Sequence, residues 1–233
     1  MKDGELDDIL KKAAEAQSDP DPALLDRIAA SIQPNMRPVR PLPPARTLNI
    51  ALAVACLAIA TIVAARLGLH GLAALNGLQF LIIAIVPILI GFAAAAWTAE
   101  MIPGSPRRES PSTLLAITCA SLLALFAILF RDPQSGRFVQ QGIACLTAGL
   151  ATAVPVALAG RWLLRRGFAV NPTGAALAGG TLSGLAGVAM LELHCPNFQT
   201  WHVLVWHTAV IPVSAAAAVL TVRLARRRTP ARG

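Results

Sequence analysis

The fold is set by residues 48–65, which read LNIALAVACLAIATIVAA and carry no charged side chain. Five further runs of the same apolar character follow along the chain: Gln79–Thr98, Thr113–Phe130, Val139–Gly160, Gly174–Leu193 and Val203–Val222. A bilayer core about 30 Å thick needs about 20 apolar residues per helix. Within lipid, a helix satisfies its own backbone hydrogen bonds. The sequence therefore predicts an all-α, polytopic membrane protein with six transmembrane helices.

The composition agrees with a membrane environment. Hydrophobic residues make up 55% of the 233-residue chain, which exceeds what a soluble domain normally carries. The formal net charge of +8 could indicate a nucleic-acid partner. Most basic residues, however, flank the ends of the apolar runs, so we expect the lipid bilayer and not nucleic acid to be their partner. The first 46 residues are polar and rich in proline, so we expect no cleavable signal peptide.

The basic residues also predict the orientation of the helices. Seventeen of the 20 lysines and arginines lie before the first run, after the second and fourth runs, or in the tail. The other three loops hold only Arg66, Arg131 and Arg137. Because cytoplasmic loops are enriched in positive charge, both termini are predicted to be cytoplasmic. The expected location is the bacterial cytoplasmic (inner) membrane, crossed several times.

The chain is predicted to have four parts. Residues 1–33 form a cytoplasmic head with two amphipathic helices, and residues 34–46 form a Pro-rich linker. Residues 47–223 form the six-helix transmembrane bundle, and residues 224–233 form a basic cytoplasmic tail. The linker is expected to be extended and semi-rigid.

The head combines acidic charge with two apolar stripes. Eight of the twelve acidic residues lie within the first 26 positions. Asp21 and Pro22 are typical of a helix start. The head could pack on its own membrane domain, remain disordered, or dock into a soluble partner with a basic groove, and we favour docking. The predicted partner-binding residues have the helical spacing of the two stripes: Leu6, Ile9, Leu10, Leu24, Leu25 and Ile28.

The membrane bundle has few features that indicate chemistry. Gly180 and Gly184 form a GxxxG pattern, which predicts close packing against a neighbouring helix. No charged residue lies near the middle of an apolar run, and no nucleotide-binding or hydrolase motif is present. We therefore expect no enzymatic activity, no cofactor and no small-molecule substrate.

One loop stands out, because residues 191–197 read LELHCPN and histidines follow at 202 and 207. The predicted topology places this loop on the outer face, where Cys145 of the fourth run could approach Cys195. Three interpretations remain open: thiol redox or metal sensing, structural polar packing, and a fixed metal site. The candidate metal ligands are His194, Cys195, His202 and His207. Cys56 and Cys119 fall near mid-membrane and are expected to pack as small apolar residues.

Several of these segments together resemble a known family. They are ELDDIL at 5–10, DPALL at 21–25, the Pro-rich linker, ACL at 144–146, LELHCPN at 191–197 and VLVWH at 203–207. The chain resembles the NrsF-like six-span membrane anti-sigma factors, which are negative regulators of an extracytoplasmic-function (ECF) sigma factor. The resemblance implies that the head holds a cytoplasmic ECF sigma factor at the membrane. It also implies that an oxidant or heavy metal acts through two cysteines, which match Cys145 and Cys195 here, and releases the sigma factor.

A different class of function remains compatible with the residues alone. A small transporter or metal-handling membrane protein would use the outer His/Cys cluster to bind its substrate, and its head would be dispensable. A sigma-factor gene beside this one would favour the anti-sigma interpretation over transport.

Overall fold

A computed structural model of the chain describes residues 8, 11–12, 21–32, 42–102, 104, 110–131 and 138–228. By its internal contacts the chain divides into two units, Met1–Pro41 and Leu42–Gly233. The predicted partner-binding residues Leu6, Ile9 and Leu10 lie outside the described residues.

The first unit contains helix α1 (Pro22–Ile32). The helix begins where the sequence predicts, because Asp21 Oδ1 accepts a hydrogen bond of 2.9 Å from the Ala23 N–H. Pro22, which has no N–H to donate, occupies the first helical position. Leu24, Leu25 and Ile28 remain 45%, 49% and 45% exposed, so the apolar stripe of α1 is largely open to solvent.

The second unit is helical, and no strand occurs among its described residues. Its elements in chain order are α2 (Ala45–Leu67), α3 (His70–Ala74), α4 (Leu81–Met101), α5 (Pro111–Leu129), α6 (Phe138–Leu163), α7 (Pro172–His194), α8 (Thr200–His202), a π-helical turn (Val203–His207) and α9 (Thr208–Arg228). Six helices are long and apolar enough to cross a membrane, the sixth being the continuous rod from α8 through α9. This confirms the predicted helical class and the six spans, while the membrane face of each terminus stays a prediction.

Helix α7 lies at the centre of the bundle. Its most apolar window is 83% buried, whereas the other five spans are 22–39% buried. The predicted GxxxG packing is present against α9. A methyl carbon added at Gly180 would lie 2.5 Å from Ala215 Cα, and one at Gly184 would lie 2.6 Å from Ile211 Cα. Only residues without a side chain allow two backbones to approach this closely in lipid.

Helix α6 packs against another side of α7, again through glycines. A methyl carbon at Gly187 would lie 2.5 Å from the Gly149 carbonyl oxygen. Cys145 precedes Gly149 by one helical turn, and Cys195 follows Gly187 by about two turns. The glycine contact therefore fixes the register in which the ends of α6 and α7 carrying the two cysteines meet.

The connections between helices gather at two ends of the bundle. Thr200 Oγ1 donates to the Phe130 carbonyl over 2.8 Å, and Gln79 Nε2 donates to the Leu129 carbonyl over 3.4 Å. These bonds bring residues 68–80, 130–131 and 195–199 together at what we call the loop end. At the other end the Phe168 N–H donates to the Met101 carbonyl over 2.8 Å. The helices thus alternate in direction as successive membrane crossings require.

Candidate functional site

The two cysteines implied by the family resemblance lie side by side at the loop end. Cys145 is on the first third of α6, and Cys195 is the residue directly after α7. Their Sγ atoms are 3.4 Å apart, which is well beyond the length of about 2.05 Å of a disulfide bond, so both are free thiols. The structure therefore places two thiols in contact across the α6–α7 interface.

Two histidines complete a compact group around these thiols. His202 Nε2 lies 3.6 Å from Cys195 Sγ, and both imidazoles are fully buried. One ligand atom each from Cys145, Cys195, His202 and His207 lies within 4.8 Å of all the others. We call these four residues the Cys/His tetrad. Two thiols and two imidazoles are the donors that soft and borderline metal ions prefer.

The π-helical turn Val203–His207 explains how both histidines reach the same site. In an α-helix, residues five apart point about 140° away from each other, because each residue turns the helix by about 100°. The wider π-helical turn bonds residue i to residue i+5 and so brings such a pair together. Here the imidazole centroids of His202 and His207 are 5.3 Å apart. Single π-helical turns inside α-helices often mark functional sites.

Glu192 forms a hydrogen bond with the imidazole of His207. His207 Nδ1 donates to Glu192 Oε1 over 2.8 Å, and the two side chains are 0% and 1% exposed. This bond fixes the ring orientation and leaves Nε2 as the nitrogen of His207 that is available to bind a ligand. Among the described residues, His207 Nε2 has no hydrogen-bond partner.

Cys195 is held in its neutral form by its surroundings. The hydrogen bond with Cys145 Sγ and, after it, burial raise the pKa of the Cys195 thiol above its ordinary value. At neutral pH the thiol is therefore protonated and is a poor nucleophile until a proton is removed.

His194 is not brought together with the other candidate metal ligands. Its Nδ1 donates to the Gly68 carbonyl over 2.8 Å, and its ring lies 6.1 Å from that of His70. Neighbouring residues at a helix end point about 100° apart, so His194 and Cys195 face different surroundings. Cys145, which was not among the sequence-derived metal ligands, takes the fourth place in the tetrad.

The remaining two cysteines, Cys56 and Cys119, are not part of the tetrad. Cys56 is fully buried within α2, where its thiol lies 3.8 Å from the Leu182 carbonyl of α7. Cys119 is partly exposed on α5. The geometry of Cys56 fits the packing role expected from its place in the sequence, and both cysteines offer matched controls for experiments on the tetrad.

Two cavities lie near the site, although no tetrad residue lines either of them. One, of about 390 Å³, lies at the loop end and is lined largely by polar residues of the two loops that meet there, among them Asn76, Gln79, Asn197 and Gln199. The other, of about 190 Å³, is apolar and has Glu192 in a wall otherwise formed by α2, α4 and α7. The loop-end cavity gives water and ions a polar approach to the segment that carries Cys195.

Glu192 was missed as a site residue by reasoning from the sequence, although it lies within the predicted fifth run, Gly174–Leu193. An ionisable residue inside a predicted membrane-spanning segment was the signal that could have found it. Its pairing with His207, fifteen positions further along, depends on the turn between α7 and α8.

Comparison with protein families gives one match. The family model NrsF, described as negative regulator of sigma F, matches residues 34–227. Comparisons with curated proteins and with solved structures find no match. The matched range includes the six spans and the whole tetrad, and it leaves residues 1–33 outside. Because the match covers most of the chain, the protein belongs to the NrsF family, the negative regulators of sigma F.

Proposed function

We propose that this protein is a membrane-anchored anti-sigma factor. It binds a cytoplasmic ECF sigma factor through its N-terminal head and keeps it at the cytoplasmic membrane, away from RNA polymerase. A signal that alters Cys145 and Cys195 on the outer face then weakens this grip. The proposal makes the protein a regulator with no enzymatic activity of its own. Membership of a family that regulates a sigma factor negatively supports it.

The exposed stripe of α1 supports binding through the head. Leu24, Leu25 and Ile28 lie on one face of the helix and are each about half exposed. Burying such a side chain against a partner contributes about 1.5–3 kcal/mol at most, so a few of them can hold a complex together. Acidic neighbours such as Asp21 and Asp26 would speed capture by a basic surface.

The contact between the two thiols is the observation that carries the sensing part of the proposal. Cys145 and Cys195 join α6 to α7 through sulfur atoms 3.4 Å apart. A disulfide bond formed there would require the sulfur atoms to approach to about 2.05 Å, which draws the two helices together.

The central position of α7 supplies a route from the thiols toward the head. Helix α7 contacts α2 at Cys56 and Leu182, and α2 is the span that follows the linker and head in the sequence. A shift of α7 would therefore move the helix to which the head is attached through the linker. Packed helices respond to small displacements by repacking between discrete arrangements, which makes such a transfer physically reasonable.

The test compares the full-length protein with a variant lacking residues 1–33, both purified from native membranes with any soluble partners. The proposal expects a sigma factor with the full-length chain and none with the shortened chain, while the bundle still inserts in both. Recovery of the sigma factor with both variants would overturn the role of the head. Metal or solute uptake that survives removal of the head would favour the transport alternative.

A further inference from the structure

We propose that the Cys/His tetrad is a four-coordinate zinc site, with Cys145, Cys195, His202 and His207 as ligands and Glu192 as the residue that positions His207. The ligand set follows from the structure alone. Its use as a regulator of sigma-factor binding is the one part that rests on the proposed function.

The distances within the tetrad suit a tetrahedral ion. With Zn–S bonds of about 2.3 Å and Zn–N bonds of about 2.0 Å, the ligand atoms of a tetrahedral site lie about 3.3 to 3.8 Å from one another. The structure has the two sulfur atoms 3.4 Å apart and His202 Nε2 3.6 Å from Cys195 Sγ. All four ligand atoms lie within 4.8 Å of each other, so small rotations of the side chains would close the remaining gap.

Glu192 provides the support that zinc-bound histidines usually have. A metal-ligating imidazole commonly donates its second N–H to a carboxylate or carbonyl, which fixes the ring and raises its basicity. His207 Nδ1 has this bond to Glu192 Oε1, and the other ring nitrogen, Nε2, is buried and available to bind a metal. His202 Nδ1 has no comparable partner among the described residues, so His207 is the better supported of the two ligands.

The charges also balance. When a zinc ion enters, the two S–H bonds break and each sulfur donates an electron pair to the metal. The two thiol protons leave to solvent, together with any proton carried by the ligating nitrogen of His202 or His207. The two thiolates then neutralise the double charge of the ion, and the two imidazoles bind it in their neutral form. No redox partner is needed, because neither the metal nor the sulfur changes oxidation state.

The buried imidazole of His207 distinguishes this site from a simple redox pair of thiols. A pair that alternates between dithiol and disulfide can use His202, which contacts Cys195, as its base, but it gives no role to Nε2 of His207, a fully buried nitrogen without a hydrogen-bond partner among the described residues. Burying a polar atom without a hydrogen bond is unfavourable, because the atom loses its bonds to water and gains none. A zinc ion removes this cost by binding the nitrogen, and it joins α6, the end of α7 and the π-helical turn.

The experiment uses the full-length protein in lipid nanodiscs. The protein is treated with chelator, supplied with zinc chloride and dialysed, and its metal content is measured. In parallel, cobalt(II) replaces zinc as a spectroscopic probe, because tetrahedral cobalt with two thiolates gives intense visible and near-ultraviolet absorption. We expect one zinc per chain, a tetrahedral cobalt spectrum, and protection of Cys145 and Cys195 from alkylation by zinc.

Matched variants test each assignment. Cys195→Ser, Cys145→Ser, His202→Ala and His207→Ala should each lose the tetrahedral cobalt spectrum, whereas Cys119→Ser, Cys56→Ser and His194→Ala should retain it. Glu192→Gln should keep the spectrum but weaken zinc binding about 10- to 100-fold, as loss of a supporting carboxylate does elsewhere. Helical circular dichroism of each variant shows whether the bundle remains folded.

Two results would overturn the zinc site. One is a folded wild-type protein that holds no zinc after dialysis. The other is a cobalt spectrum that persists in both cysteine variants. Sigma-factor recovery is measured on the same samples. Zinc binding without sigma capture would refute the proposed function and leave the site intact, and sigma capture without zinc binding would do the reverse.

Discussion

His207 Nδ1 and Glu192 Oε1 are joined by a hydrogen bond of 2.8 Å between two side chains that have almost no contact with solvent. This bond connects the π-helical turn to the last turn of α7. Because α7 contacts each of the other five spans, the pair ties the thiol site to the centre of the bundle. Its removal should affect both the stability of the loop end and the arrangement of the two cysteines.

We expect Glu192→Ala to lower the free energy of unfolding by about 3–5 kcal/mol, because it leaves His207 buried without its partner. Glu192→Gln retains an oxygen that can accept the same hydrogen bond, so its loss should be markedly smaller. The measurement is denaturant unfolding of the metal-free protein in mild detergent, followed by helical circular dichroism. Equal losses for the two variants would show that the hydrogen bond contributes little.

The close approach of α7 and α9 predicts the result of adding a single methyl group. Gly184→Ala places a carbon 2.6 Å from Ile211 Cα, which the two backbones can accommodate only by moving apart. We expect a loss of about 1–3 kcal/mol, the usual cost of overpacking. Gly91→Ala is the matched control, because nothing lies within 4 Å of the added carbon in α4. A thermal shift of equal size in both variants would contradict the packing argument.

The structure confirms those sequence predictions that depend on a single local property, such as the length of an apolar run or the residues at a helix start. The six spans follow from apolar length, and the start of α1 follows from Asp21 and Pro22. The tetrad could be foreseen only in part, because a π-helical turn leaves no clear sequence pattern, and an α-helix over 200–207 would separate His202 from His207. His194, next to Cys195, was an equally good candidate by type, and only the direction of its side chain excludes it.

Mild oxidation should join Cys145 to Cys195 in preference to any other pair. Their sulfur atoms need to approach from 3.4 Å to about 2.05 Å, a movement that side-chain rotation and a small helix shift can supply. We expect peptide mass spectrometry of the metal-free protein to find this bond within one chain, with Cys56 still reduced. Cys119→Ser should give the same product. Crosslinking mainly between chains, or through Cys119, would contradict the observed geometry.

The distribution of arginine predicts that the loop end faces outward. Alkaline phosphatase fused after residue 134 should be active, and the same enzyme fused after residue 104 should be inactive. A fluorescent protein fused to the C-terminus should be bright, because it folds in the cytoplasm. The reverse pattern would place the cysteines on the cytoplasmic side and would remove the basis for sensing an external signal.

The exposed stripe of α1 predicts where point substitutions should weaken sigma-factor binding. Leu24→Ala combined with Ile28→Ala removes two half-exposed apolar side chains from one face of the helix, while alanine preserves helix propensity. If both side chains lie in the interface, the loss should be about 2–4 kcal/mol, which is about a 30- to 1,000-fold weaker complex. The measurement is binding of the purified sigma factor to the protein in nanodiscs.

The matched control for this stripe is Ala30→Gln, which changes an exposed position on the opposite face of the same helix. Its binding should equal that of the unchanged protein. Equal weakening by the control would indicate that folding of α1, and not its apolar face, determines the affinity. Unchanged binding by the double variant would direct the search to Leu6, Ile9 and Leu10, the other predicted stripe of the head.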